Sequence, residues 1–470
     1  MRGLFLVFVC FATCVQVTSC GGKTSSQLRS TSDSELLYVR VPSAMLSYDW
    51  VQKTDFNRDH GKDPIYALGW MTKRQLDSLS HEDKASITVL DEQSVSRGYL
   101  NPFTLEKNIS LVEETPKEDY HNYIALTKEL QNLSNTYSSL AQLESLGKSD
   151  EGRDLWMIRL SANIASQDKK PKLLYIANMH GDEVVGRELT IYHIRRLLTG
   201  YGNEPRVTTL LDNAQVFIVP SMNPDGFERG RRYNVNNVDL NRDFPDFTSD
   251  NSDTVAGRAD ETAAIMSLHA NHHFVSSINF HGGEVCFNLP WDTQRNNSTT
   301  KFGDDQILSQ MGRAYADSNP TMESNDGFDR GLTYGFEWYE VDGGLQDWSI
   351  YYRQSMHATV ELSYTKYPPA SQLPKAWDEN KESMLAFMER SLNGVHVEAV
   401  NENGEPVRDI TVSVGSSKRS IKFVTSYATR TTTDGPQTVK VEAPGYVPAT
   451  LSTNARFFDG RHDVVVLRKI

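Results

Sequence analysis

The feature that most constrains this chain is a repeated pairing of short, continuously apolar segments with longer amphipathic ones, beginning at Asp119. KLLYIANMH (Lys172 to His180) is apolar without alternation, as is VFIVPSM, and SSINF and HATVELSY follow the same habit. A strand apolar on both sides has to be covered on both sides. Between these segments lie HNYIALTKELQNLSNTYSSL and VVGRELTIYHIRRLLTGY, which carry helical periodicity. Alternating strands and helices predict an α/β fold: a mixed, largely parallel sheet flanked by helices.

The flanks read differently. MRGLFLVFVCFATCVQVTSC (1–20) has one basic residue, Arg2, and an apolar run too short for a comfortable membrane span, which predicts an export signal. VTSC also matches the pattern in which a bacterial signal peptide ends at a lipidated cysteine, here Cys20; ordinary cleavage is the alternative. The expected location is a bacterial cell envelope, as a lipoprotein, or otherwise secretion. Loss of Cys10 and Cys14 with the signal leaves Cys20 and Cys286, so no internal disulfide is expected. A small α/β module is predicted over 35–96, with LLYVRVP and SITVLDE as strands and MTKRQLDSLS as a helix. The main domain is expected over 119–393. From Gly394 to Ile470 short alternating segments broken by Asn-Gly, Asp-Gly and Pro-Gly predict a small all-β sandwich. The net charge of −13 argues against nucleic acid, whose binding rests on basic side chains.

Four of the predicted strands run out into polar residues: His180 and Glu183, Asn223 and Asp225, His281, and Glu361. Ligands of open α/β sheets bind at the carboxyl ends of strands, so one pocket is expected to gather all four. His180 and Glu183, separated by two residues, with a distant His281, would make a three-ligand zinc site that keeps a position for water. Alone, HxxE reads more simply as a helix N-terminus whose acids favour the dipole.

Taken together these segments resemble the zinc carboxypeptidases of the funnelin group, in the branch containing carboxypeptidases N, E and D. The resemblance rests on NMHGDEVVGRE, SMNPDGFE, VDLNRDFPD, FHGG, WYEVDGGLQDW and VELS. It implies one zinc ion per chain held by His180, Glu183 and His281. It makes Glu361 the general base that takes a proton from water, and Arg232 the group that stabilises the tetrahedral oxyanion. Arg231, next door, leaves that register open by one residue.

By the same resemblance Asn241 and Arg242 bind the substrate's terminal carboxylate, and Tyr339 closes over it. Asp292 would pair with a terminal Lys or Arg side chain, with Gln346 lining the same pocket, although an Asp after Pro-Trp also begins turns. The 394–470 segment would be transthyretin-like. The implied activity is removal of C-terminal Lys or Arg from peptides and proteins, with membrane contact only through a lipid at Cys20. A cell-wall muropeptide carboxypeptidase and a catalytically weak peptide-binding protein are the alternatives. Asp243 departs from the family's usual asparagine and would weaken the carboxylate pair; Ile350 stands where an aromatic is common. His269, His272 and His273 have helical metal-ligand spacing, but a solvated helix end is the expectation.

Overall fold

The structure is a computed structural model that describes residues 36–42, 45, 55–57 and 66–89, and 120–470 except 166–168, 250–251, 294–301 and 418. The expected signal and Cys20 lie outside the described residues. Among these, no helix is long and apolar enough to cross a membrane.

An eight-stranded mixed sheet forms the centre. Its spatial order is Leu332–Tyr334, Glu284–Leu289, Met356–Ser363, Phe274–His281, Lys172–Ala177, Gln215–Val219, Asp154–Leu160 and Ala141–Lys148. The inner strands from Met356–Ser363 to Gln215–Val219 are mutually parallel, while the Glu284–Leu289, Asp154–Leu160 and Ala141–Lys148 strands add antiparallel pairings. This is the expected α/β sheet.

Strand periodicity explains why the inner segments are apolar throughout. Leu173, Tyr175 and Ala177 enter one core, with Leu189 and Ile194 of helix Val185–Gly200 and Leu385 and Met388 of helix Leu373–Ser391. Leu174 and Ile176 enter the opposite core, with Ile265 of helix Asp260–Asn271 and Trp348 of helix Leu345–Arg353. Each fully buried aliphatic side chain contributes ~1.5–3 kcal/mol through removal from water.

Parallel pairing also sets the site. Glu361 lies opposite His281 in the register joining Met356–Ser363 to Phe274–His281, so both project from neighbouring strands at one level.

The C-terminal segment forms two sheets. One contains Asn393–Asn401, Tyr427–Thr431, Asp463–Lys469, Tyr446–Val447 and Arg456–Phe457; the other contains Ser420–Phe423, Ile410–Val414, Pro436–Glu442 and Ala449–Asn454. Val395, Val397, Val412, Val439, Val441 and Leu467 fill the space between them. Gly404, Gly435 and Gly445 adopt φ of 79°, 91° and 78°, the left-handed backbone for which the Asn-Gly, Asp-Gly and Pro-Gly pairs are suited.

Some local expectations shift. The helix predicted over His121 to Leu140 spans Tyr123–Thr136, because Asn122 caps it by accepting from Ala125 N–H and the chain turns after Thr136. In the N-terminal module the helix is Lys73–Ser78, and Met71 and Thr72 instead close the strand Tyr66–Thr72, which the sequence reading missed. That strand pairs along Leu36–Pro42. Of the second expected strand, Thr88–Val89 is a strand, while Ser86 instead ends the helix His81–Ser86 and Ile87 caps it.

Candidate metal centre and substrate pocket

The chain leaves strand Lys172–Ala177 through Asn178, whose φ of 56° turns it sharply toward the sheet's end. The Asn178 amide then donates to the carbonyls of His180 (2.9 Å), Gly181 (3.2 Å) and Glu183 (3.3 Å), folding the loop around itself. Gly181 is required there: a Cβ would lie 2.1 Å from the Gly226 carbonyl carbon. This loop aims His180 and Glu183 at His281, the last residue of its strand.

Their donor atoms form a tight triangle. His180 Nδ1 and Glu183 Oε2 are 2.9 Å apart, His281 Nδ1 and Glu183 Oε2 2.9 Å, and the two Nδ1 atoms 3.0 Å. All three residues are buried. One face of a tetrahedron of zinc ligands has edges of ~3.3 Å, so two imidazoles and a carboxylate at these separations fit a zinc ion on the chemistry of the donors alone. Burial and Arg232 pull the His180 imidazole down, but Glu183 and Asp239 outweigh them and raise it. Burial holds His281 down to about 4, leaving it neutral as a ligand must be. Burial would raise the Glu183 carboxyl, but His180, Lys366 and His281 outweigh it and hold it well below the usual range.

Outer partners fix the ligands. His180 Nε2 lies 3.2 Å from Asp239 Oδ1, and Asp239 is itself held by the Asn241 N–H (2.9 Å) and Arg232 Nε (3.0 Å). His281 Nε2 meets the Asn279 side-chain amide at 2.6 Å. Lys366 Nζ stands 3.4 Å from Glu183 Oε1. Asp239, Asn279 and Lys366 were not singled out from the sequence; Asp239 was within reach, because it immediately precedes the LNR segment.

Of the two neighbouring arginines Arg232 faces the cluster, its Nη1 3.1 Å from His180 Nδ1 and 3.3 Å from Glu183 Oε1, while Arg231 reaches Asn237. Glu361 is 6% exposed, and its Oε2 has no hydrogen-bond partner among the described residues. Burial, reinforced by Glu183, pushes its carboxyl well above the usual range.

Beside this centre lie two further buried acids, Asp292 and Asp347. Asp292 is 2% exposed, and its Oδ1 accepts from Asn288 Nδ2 (2.8 Å) and Gln346 Nε2 (3.0 Å). Gln346 is anchored in turn by accepting the Thr359 N–H at 2.6 Å. Asn288, four residues before Asp292, was also missed; its Oδ1 is buried with no hydrogen-bond partner among the described residues. Asn241 Oδ1 accepts the Leu345 N–H at 3.0 Å, joining the Arg242 loop to the Gln346 helix. Tyr339 is 47% exposed at the rim, edge-on to Trp338.

Not every expected member gathers here. Asn223 braces the loop, donating to the carbonyls of Met179 and Arg232, and Asp225 binds Ser149 and Arg153 away from the pocket. Both are buried polar groups satisfied by local partners. Asp243 accepts the Ala259 N–H (2.8 Å) just before helix Asp260–Asn271, so its carboxylate is engaged there. Ile350 is a core residue. His269 is not solvated at a helix end: it is 4% exposed, edge-on to Phe274 and Trp348. The described residues hold one metal-competent cluster, and it does not include His269 or His272 and His273, which lie past the helix's end at Asn271.

A buried His, Glu, His triangle at the carboxyl end of a mixed α/β sheet, with an acid beside it, defines the class of metal-dependent hydrolases. A family model described as zinc carboxypeptidase matches residues 126–383, and the chain belongs to that family: it is a metallocarboxypeptidase whose metal is zinc. It is similar to carboxypeptidase M of Mus musculus, 35% identical over 333 residues, covering 65% of this chain and 73% of that one. It is also similar to carboxypeptidase D of Homo sapiens, 34% identical over 368 residues, covering 73% of this chain and 26% of that much longer one. A carboxypeptidase A from Helicoverpa armigera shares the fold, with a TM-score of 0.56 at 18% identity over 76% of this chain and 97% of that one.

Proposed function

We propose that this zinc exopeptidase removes C-terminal Lys or Arg residues from peptides and proteins. The observation that carries the reading is Asp292: a buried carboxylate with one oxygen held by two amide donors and no Lys or Arg paired to it among the described residues. Such a group is costly to leave alone and favours a cationic occupant over an apolar or acidic one. The unsatisfied Asn288 Oδ1 adds an acceptor beside it.

In this reading His180, Glu183 and His281 hold the metal. Zinc bound there would polarise the scissile carbonyl and acidify water. Glu361, buried with a free oxygen and a raised carboxyl, takes the proton of the attacking water and passes it to the departing amine. Arg232 stands within 3.3 Å of the ligand cluster and donates to the oxyanion as it develops. Arg242, supported by Asn241, receives the terminal carboxylate through its planar fork, and exposed Tyr339 covers it. The 394–470 sandwich is read as transthyretin-like, and the leader as a lipoprotein signal ending at Cys20 that places the enzyme in a bacterial envelope.

Chromogenic peptides ending in Arg, Lys, Phe or Glu, assayed with and without a chelator, test this. Chelator-sensitive cleavage of the first two is expected. Equal turnover of Phe- and Arg-terminated peptides would defeat the assignment of Asp292.

A further inference from the structure

Trp291, the residue before Asp292, sits at a junction between the substrate pocket and the C-terminal sandwich. Its ring lies between Phe247, at 4.9 Å, and Phe302, at 5.7 Å and edge-on. Over the Phe302 ring, at 4.5 Å, stands the guanidinium of Arg419, which belongs to the sandwich. Arg419 is not loosely placed. It and Arg430 converge on the fully buried Asp304 carboxylate, with Nε at 3.4 Å and Nη2 at 3.5 Å, and Arg419 Nη2 donates to the Gln354 carbonyl at 3.1 Å. Breaking a buried, shared carboxylate of this kind is costly, so the contact holds its geometry.

On its other side the same dipeptide carries the substrate loop. The Trp291 carbonyl accepts the Phe336 N–H and the Asp292 carbonyl accepts the Val341 N–H, each at 3.0 Å, which brackets Tyr339. Strand pairing ends at Leu289, so the place of Trp291 and Asp292 is set by such contacts rather than by a ladder. A half-buried tryptophan between two rings is one of them, beside the Asp347 carboxylate, which accepts the Asp292 and Thr293 N–H groups.

We propose that the C-terminal sandwich positions the recognition site: Arg419, acting through Phe302 and Trp291, fixes Asp292 and the Tyr339 segment. Arg419 is a positioning residue, and the sandwich is a working part of substrate selection.

The kinetic arm rests on the reading of Asp292 above; hydrogen exchange does not. In Arg419→Met, KM for an Arg-terminated peptide rises about threefold to tenfold, the scale of one lost cation–π contact and its packing, with kcat unchanged. Amide exchange quickens in peptides covering 286–293 and 335–341 and stays the same over 172–183. Arg419→Lys restores most of both. Phe302→Leu, which keeps the Asp304 ion pairs, reproduces the effect and decides the matter if Arg419→Met does not fold. A folded variant with unchanged KM and unchanged exchange overturns the proposal, as does exchange that quickens evenly through the whole chain. If the wild-type enzyme proves indifferent to basic termini, the Asp292 reading fails and the exchange pattern still judges this one.

Discussion

Asp239 Oδ1 lies 3.2 Å from His180 Nε2, on the side of the imidazole opposite the ligand triangle. A carboxylate there fixes the ring's tautomer and orientation, leaving Nδ1 free to ligate, and raises its basicity. Asp239→Ala is expected to weaken zinc affinity by about 10–100-fold, measured by competition with a chromogenic chelator. The fold should be retained, since the residue's partners are the site's own side chains and the Asn241 N–H.

Glu361→Gln keeps the shape of the side chain and removes its ability to hold a proton. Turnover is expected to fall at least about a hundredfold while one zinc per chain remains bound. Metal content and single-turnover rates measured together check this, and retained activity would sink the role of Glu361 as base.

The carboxyl of Asp292 is pushed up to about 6, by burial first, against the opposing pull of Asn288 and Arg242. Only its ionised form pairs with a cationic terminus, so KM for Arg-terminated peptides should rise as pH drops below 6. A matched assay with a Phe-terminated peptide should lack that limb.

Stability follows with the opposite sign. A folded pKa raised above the ordinary 3.8 contributes stability that is present below about pH 4 and lost as pH rises through 6. Asp292→Asn removes that loss, so the variant should be more stable than the parent at pH 7–8 by on the order of 2 kcal/mol, and equal to it near pH 4. Denaturant titrations at the two pH values check the prediction. The same variant should lose its preference for basic termini.

Gly335 offers a steric test. A Cβ at this position would lie 1.8 Å from Asp292 Oδ1, so Gly335→Ala must displace either the carboxylate or the loop carrying Tyr339. We expect impaired binding of basic-terminated peptides with zinc affinity intact, read by calorimetry with a non-cleaved analogue.

The inner strands and the α/β class were legible because buried strands need unbroken apolar runs, and Lys172–Ala177 and Gln215–Val219 have them. His180, Glu183 and His281 were legible only as a conjunction of segments, since a histidine at a strand end has many ordinary uses. What sequence did not disclose was carried by contacts distant along the chain. Asn288 and Gln346 meet only because both reach one oxygen of Asp292. Asp225 looked like a pocket residue until Ser149 and Arg153, far upstream, were seen to claim it. The burial of His269 likewise depends on Trp348, from another helix.

Because Glu361 and His281 occupy paired positions of adjacent parallel strands, the interval between the proposed proton acceptor and the proposed metal ligand is ruled by the hydrogen-bond ladder. Loops around the mouth can lengthen, shorten or exchange residues without altering that interval. Substrate choice can thereby be retuned at the mouth while the spacing on which the proposed bond cleavage depends stays with the sheet itself.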